Sequence, residues 1–360
     1  MTPRKIFVGS YTHSIYTLEF DPDQSPPSLK LLAETTVGYH PSWIAFHPSD
    51  TSLIFTGLEQ TDGEIALVKY AADGQGKVVA RAKSGGGDPC TLLVDEDEVI
   101  IGNYSSGTLA TLPISTAPPY ILSPQPWTLS MPFEMSGPNK SRQTSSHPHQ
   151  TIFNTLNKTS KELLVPDLGT DKVWRLTKAG DKRWAIQSYL QYELGSGPRH
   201  VATYGKSLYT LLELTSTLAV HDLSSLSHSR TPLGTRSTLT SPPPPPHDML
   251  AAEILIPTPN LPFPDPYIYT SNRNDPSPEG DSIAIFSLVA GEDKPELVGE
   301  VRTGLKHVRG MLFGCEDDRW LVVGGVEGGG VKVFERVDGG KDLKEVAMLG
   351  INKPTGFLWG

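Results

Sequence analysis

Apolar residues along this chain fall into short runs of five or six, many of them alternating with polar ones and bounded by Gly, Pro, Asn or Asp. Residues 65–70 and 283–288 are typical, with the length and period of strands packed face to face. The runs recur as a larger unit: a Gly/Pro turn, an apolar strand, a turn, a second apolar strand ending near Gly, Asn, Asp or Glu, then a third alternating strand. Copies begin at Gly38 (GYHPSWIAFHPSDTSLIFTGLEQTDGEIALVKY), Gly86 (GGDPCTLLVDEDEVIIGNYSSGTLATLPI), His147 (HPHQTIFNTLNKTSKELLVPDLGTDKVWRL), Gly195, Asp248 and Gly304. The N-terminal KIFVGSYTHSIYTLEFD and the C-terminal GINKPTGFLWG are fragments that join as a seventh. A spacing of roughly 45 to 60 residues is that of four-stranded propeller blades, and a blade split between the termini closes the ring without a free edge. The pattern predicts an all-β, seven-bladed β-propeller as a single domain over residues 1–360, and the absence of an edge predicts a monomer.

Two stretches break the repeat. Residues 224–248, SSLSHSRTPLGTRSTLTSPPPPPHD, lack apolar periodicity and read as a Ser/Pro-rich insertion carrying part of the fourth blade's outer strand. Residues 116–144 lengthen the connection into the third unit and are the candidate for a lid over one mouth.

Composition agrees with many turns around a real core: 34 Gly and 32 Pro stand beside 37% hydrophobic residues in 360. A net charge of −9, with scattered Lys and Arg, argues against nucleic acid and anionic membrane as partners. The N-terminus alternates rather than giving the apolar run of a signal peptide, and no run of about 18 apolar residues occurs. With only two cysteines, Cys90 and Cys315, a reducing, cytoplasmic setting is expected.

In a propeller the first strand of each blade lines the channel, so residues at one place in successive repeats converge. The turns leading into the first strands carry His40 and Pro41, Asp88 and Pro89, His147 to His149, Arg199 and His200, Glu253, and His307 to Arg309. A second row, at the ends of the second strands, reads Glu59, Asn103, Asp167, Glu213 and Asn272 to Arg273. His147 and His149 bracket a proline, and on spacing alone they read as a metal pair, a catalytic group or polar loop residues. A zinc site would need a third ligand from His40, His200 or His307.

The ordered set VGSYT, GNYSSGTL, HPHQ…VPDLGTDKV, GPRH…LLEL, AAEI…YTSNR…SIAIF and HVRGM…LVVGG resembles the seven-bladed lactonase family, which includes the propeller type of 6-phosphogluconolactonase and the fungal 3-carboxy-cis,cis-muconate lactonizing enzyme. The resemblance covers essentially the whole chain. It implies a site of one histidine, one glutamate and two arginines, with no metal and no cofactor. Carried over by motif, these are His149, before the strand QTIFN; Arg199 of GPRH; Glu213 of LLEL; and Arg273 of SNR. Arg309 of HVRG matches a recurrent family position as a further cation, and His147, His200, Asn103 and Arg309 are expected as substrate contacts. Asp167 and Asp171 read as turn and strand-end residues.

Hydrolysis of a lactone needs a deprotonated water and a donor where the oxyanion develops, while guanidinium groups bind carboxylate or phosphate. On this reading His149 and Glu213 form a base and its orienter, among Arg199 and Arg273. Three functions fit: hydrolysis of a small anionic lactone such as 6-phosphogluconolactone, cyclization of a carboxymuconate at the same site, or a noncatalytic binding propeller.

Overall fold

The computed structural model describes residues 3–155, 161–223, 231–243, 248–288, 294–315 and 317–360. Its strands form seven four-stranded antiparallel sheets, each a blade. The innermost strands of blades 1 to 7 are Pro41–His47, Pro89–Val94, Ile152–Phe153, Pro198–Tyr204, Leu250–Leu255, Lys306–Gly314 and Pro354–Trp359. Blade 7 is the clasp: C-terminal Pro354–Trp359 pairs with N-terminal Arg4–Ser10, and Ser14–Asp21 and Ser28–Thr36 complete the sheet. These two strands thereby pair with each other.

The core is seven clusters rather than one, each filling the gap between neighbouring blades. Leu53, Phe55, Leu92 and Ile101 lie between blades 1 and 2; Ile6, Phe20, Trp320 and Val333 lie between blades 7 and 6. Each fully buried aliphatic or aromatic side chain contributes about 1.5–3 kcal/mol, so every interface matters to closure. Near the axis, blades approach backbone to backbone. A Cβ on Gly57 would lie 2.4 Å from the Pro89 carbonyl oxygen of the next blade, so only glycine fits there.

The two irregular stretches are partly blade. Residues 116–144, expected as a lid, include Trp127–Ser130, the outer strand of blade 2. Beyond that strand the chain runs back toward the mouth, anchored by Gln143, whose amide donates to the Leu168 carbonyl and to Asp171. In the Ser/Pro-rich insertion, Gly234–Ser237 is the outer strand of blade 4; residues 224–230 and 244–247 lie outside the described residues. Among those described, no helix is long and apolar enough to cross a membrane.

Candidate active site

A repeated backbone device aims side chains into the channel. In five of the seven blades one residue adopts positive φ where the chain turns into the inner strand: His40 (50°), Asp88 (54°), Gly197 (64°), His307 (60°) and Lys353 (47°). The next residue is Pro41, Pro89, Pro198, Val308 or Pro354, and the one after it is the extra residue of a β-bulge. Pro41 pairs with Leu58 and Trp43 with Gly57, leaving Ser42 unpaired; by the same register Cys90, Arg199, Arg309 and Thr355 are the extra residues. A bulge re-aims a side chain that the ladder would otherwise bury between sheets. In blade 3, Pro148 bridges Asp167 and Ile152 pairs with Leu164, so His149 falls in the corresponding place. In blade 5 the bulge is wider, and it delivers Glu253. All seven residues line one channel cavity of about 220 Å³.

The second row needs a one-residue correction. Pro89 pairs with Asn103 as Pro41 pairs with Leu58 and Pro198 with Leu212. The counterpart of Glu59 and Glu213 is therefore Tyr104, and in the clasp Tyr11. Because successive side chains on a strand point to opposite faces, Asn103 faces inward between blades. It is fully buried, its amide donating to the Ser84 carbonyl and to Thr108, and it does not line the channel cavity or the wider mouth pocket. Tyr11, Glu59 and Tyr104 do line that mouth pocket.

Electrostatics centre on Glu213, which is fully buried. Arg142 Nη2 lies 2.6 Å from its Oε1, Arg273 Nη2 lies 2.9 Å from its Oε2, and Arg199 Nη1 also reaches Oε2. Burial alone would raise the Glu213 carboxyl, but Arg273, Arg199 and Arg142 together hold it far below the usual carboxylate range. Three guanidiniums on one carboxylate leave surplus positive charge beside the channel. Burial pushes Arg273 down to about 9 despite that partner, with Arg199 and Arg309 adding repulsion.

The expected His149–Glu213 pairing is replaced by a bridge. Arg199 Nη1 lies 2.6 Å from His149 Nε2 as well as touching Glu213, while Arg199 Nε donates to the Ala252 carbonyl at 2.8 Å. Arginine has no acceptor, so His149 Nε2 must accept and Nδ1 must carry the hydrogen. Burial and then Arg199, His200 and Arg309 hold the His149 imidazole well below its ordinary pKa, hence neutral. It presents an N–H donor rather than a free base.

The other expected residues divide. Arg309 and His200 line the channel cavity; Arg309 sits over the Tyr11 ring, 5.3 Å from its centroid, with Glu59 at 3.9 Å. His147 is stacked on Tyr104 at 4.2 Å and its Nδ1 meets the Tyr104 carbonyl at 2.8 Å, which makes it a prop for that tyrosine. Among the described residues no three His, Cys, Asp or Glu side chains converge as a metal site. Asp167 receives hydrogen bonds from Ser146, the His147 backbone N–H and the Trp174 indole. Reasoning from sequence missed Arg142, which arrives from the irregular stretch outside the repeat and has no counterpart to compare. It also missed Tyr104, which the neighbouring Asn103 obscured.

Burial of so many neutral imidazoles has a consequence for stability. Burial lowers His149 and His200, takes His221 to about 4 and, with Arg273 and Arg309, His307 to about 3. On acidification the unfolded chain therefore takes up protons first, near 6.5, and stability present above that pH is lost below it, by up to about 1.4 kcal/mol per pH unit for each such group. Urea midpoints measured between pH 7.5 and 5 should fall steadily below pH 6.5. A flat profile there would contradict neutral buried imidazoles.

The family model described as "Lactonase, 7-bladed beta-propeller" matches residues 5–359. A protein of Arthroderma benhamiae named "Probable 6-phosphogluconolactonase" is 27% identical over 98% of this chain and 88% of its own. Among solved structures, a Bacteroides fragilis protein described as a candidate 6-phosphogluconolactonase superposes with a TM-score of 0.82 at 22% identity, covering 99% of this chain and 98% of its own. The periplasmic gluconolactonase of Pseudomonas aeruginosa superposes with a TM-score of 0.80 at 18% identity, covering 99% of each chain. These structures share the fold.

Proposed function

The chain belongs to the seven-bladed β-propeller lactonase family, and on that premise we propose that it hydrolyses a small anionic sugar lactone, 6-phosphogluconolactone being the natural candidate. The observation that carries this reading is the three-guanidinium clamp on Glu213 beside a neutral His149 with an unused N–H. The phosphate, or a carboxylate, takes the surplus positive charge of Arg142, Arg273 and Arg309. The lactone carbonyl oxygen is directed to His149 Nδ1–H and the adjoining Arg199, where negative charge grows as the tetrahedral intermediate forms. Glu213 stays ionised and holds the arginines in register.

Cyclization of a carboxymuconate would use the same arginines but requires a proton delivered to carbon. Neither Glu213, held as a carboxylate, nor His149, a neutral imidazole and so a weak acid, is a ready source of it, which supports hydrolysis. An assay of purified protein on 6-phosphogluconolactone, an unphosphorylated sugar lactone and carboxymuconate, with and without chelator, separates these readings. Charge-assisted hydrogen bonds contribute roughly 1.5–3 kcal/mol, so the phosphorylated lactone should be preferred by about 10- to 100-fold in kcat/KM. Turnover should survive chelation. Preference for carboxymuconate, or loss of turnover with chelator, would reject this assignment.

A further inference from the structure

Two buried imidazole nitrogens in the channel have no protein partner among the described residues: Nδ1 of His149 and Nε2 of His200. The two residues are 3% and 1% exposed, and leaving such groups unsatisfied costs on the order of 1–3 kcal/mol each. Both rings line the same 220 Å³ cavity, their centroids 5.2 Å apart. What holds each ring decides which nitrogen carries the hydrogen. On His149 the arginine donates to Nε2, so the free atom is an N–H donor. On His200 the opposite holds: Nδ1 lies 2.7 Å from Glu253 Oε1, the carboxylate accepts, and the free Nε2 is a lone pair.

Glu253 is itself fixed. Its Oε1 also accepts from the Ile254 N–H at 3.1 Å, and its backbone N–H donates to Ser271 Oγ at 3.0 Å. It comes from the wide bulge of blade 5, while His200 lies just past the bulge of blade 4, so the pair spans a blade boundary. A carboxylate orienting an imidazole whose far nitrogen is free is the arrangement that general-base catalysis uses. The neighbouring ring of His149 carries an N–H that can serve an oxyanion in the same cavity.

We propose that His200 is the general base of the hydrolysis and that Glu253 is its positioning residue. This rests on the lactonase reading above. In the addition step His200 Nε2 removes a proton from water as the water oxygen bonds to the lactone carbonyl carbon. The carbonyl π electrons move to oxygen, opposite His149 Nδ1–H. When the intermediate collapses, the ring C–O bond breaks and the imidazolium returns its proton to the departing ring oxygen. The product is a hydroxy acid that releases its carboxyl proton to solvent, and His200 is neutral again. The anion clamp at Glu213 and the base are then separate devices meeting at His149.

The test compares wild type, His200→Gln and Glu253→Gln across pH 5–9, with urea midpoints to establish that each is folded. The charged and titratable groups around His200 are Glu253, Arg199, Arg309 and His149. His200→Gln keeps the volume and a donor for Glu253 but has no base. It should lose about 10²–10⁴-fold in kcat with KM little changed, and its residual rate should rise in proportion to hydroxide. Glu253→Gln should lower kcat by about 10–10³-fold, again with little change in KM, because the tautomer is no longer imposed. A folded His200→Gln variant within threefold of an active wild type would overturn the proposal. Separately from turnover, long-range ¹H–¹⁵N spectra at pH 7, assigned with His200→Gln, should show His200 protonated at Nδ1 alone; hydrogen on Nε2 would overturn it as well. Wild type inert toward every lactone would instead overturn the hydrolytic reading, and the base role with it, even where the spectra show the dyad.

Discussion

Glu213→Gln is expected to cost the protein its turnover and about 3–5 kcal/mol of stability, although the change removes only a charge. The wild-type carboxylate is the shared partner of Arg142, Arg199 and Arg273 in a buried setting. An amide of the same shape keeps one acceptor oxygen but leaves three cations facing each other without a countercharge. Urea unfolding of the variant would measure the loss directly. Added phosphate or sulfate should restore part of it, raising the midpoint more in the variant than in wild type, because an anion bound beside the arginines then supplies the missing countercharge. An unchanged midpoint would mean that the clamp contributes nothing to stability and that the surplus of positive charge is relieved elsewhere.

Arg199→Lys should reduce kcat by about 10²–10³-fold, equivalent to about 2.7–4 kcal/mol of transition-state stabilisation, while leaving net charge unchanged. Arg199 makes its contacts from a planar fork: to the Ala252 carbonyl, to His149 Nε2 and to Glu213. A single ammonium cannot reproduce that set. Losing the donation to His149 Nε2 releases the constraint that keeps the hydrogen on Nδ1, so the oxyanion donor becomes one tautomer of two. Steady-state kinetics on the preferred lactone would show the effect in kcat more than in KM; full activity in the lysine variant would show that charge alone suffices.

Much of the architecture was legible because it repeats. Apolar alternation, Gly/Pro turns and the terminal fragments each report local backbone preference, and seven copies average out departures such as the Pro-rich insertion. The motifs carrying His149, Arg199, Glu213 and Arg273 also lay in plain view, and the structure brings those four side chains together through Arg199 and Glu213. Asn103 shows where such reading stops. It stands in a recognisable motif, yet a single step along the strand separates a side chain between blades from Tyr104 at the mouth. Arg142 illustrates a different limit, since nothing local marks a residue in a non-repeating connection as the third guanidinium on a buried carboxylate.

Blade number, ring closure and the turns that carry most of the rim residues therefore belong to the linear chain, because strand periodicity and turn chemistry act over a few residues. Partnership belongs to the assembled ring. Arg199 between His149 and Glu213, and Glu253 behind His200, join residues 14 to 53 positions apart. Their meeting depends on the one-residue bulges that turn each inner strand toward the axis, and on burial that strips water from the imidazoles. Those two conditions decide which nitrogen holds the proton, and neither is written in the spacing of hydrophobic positions.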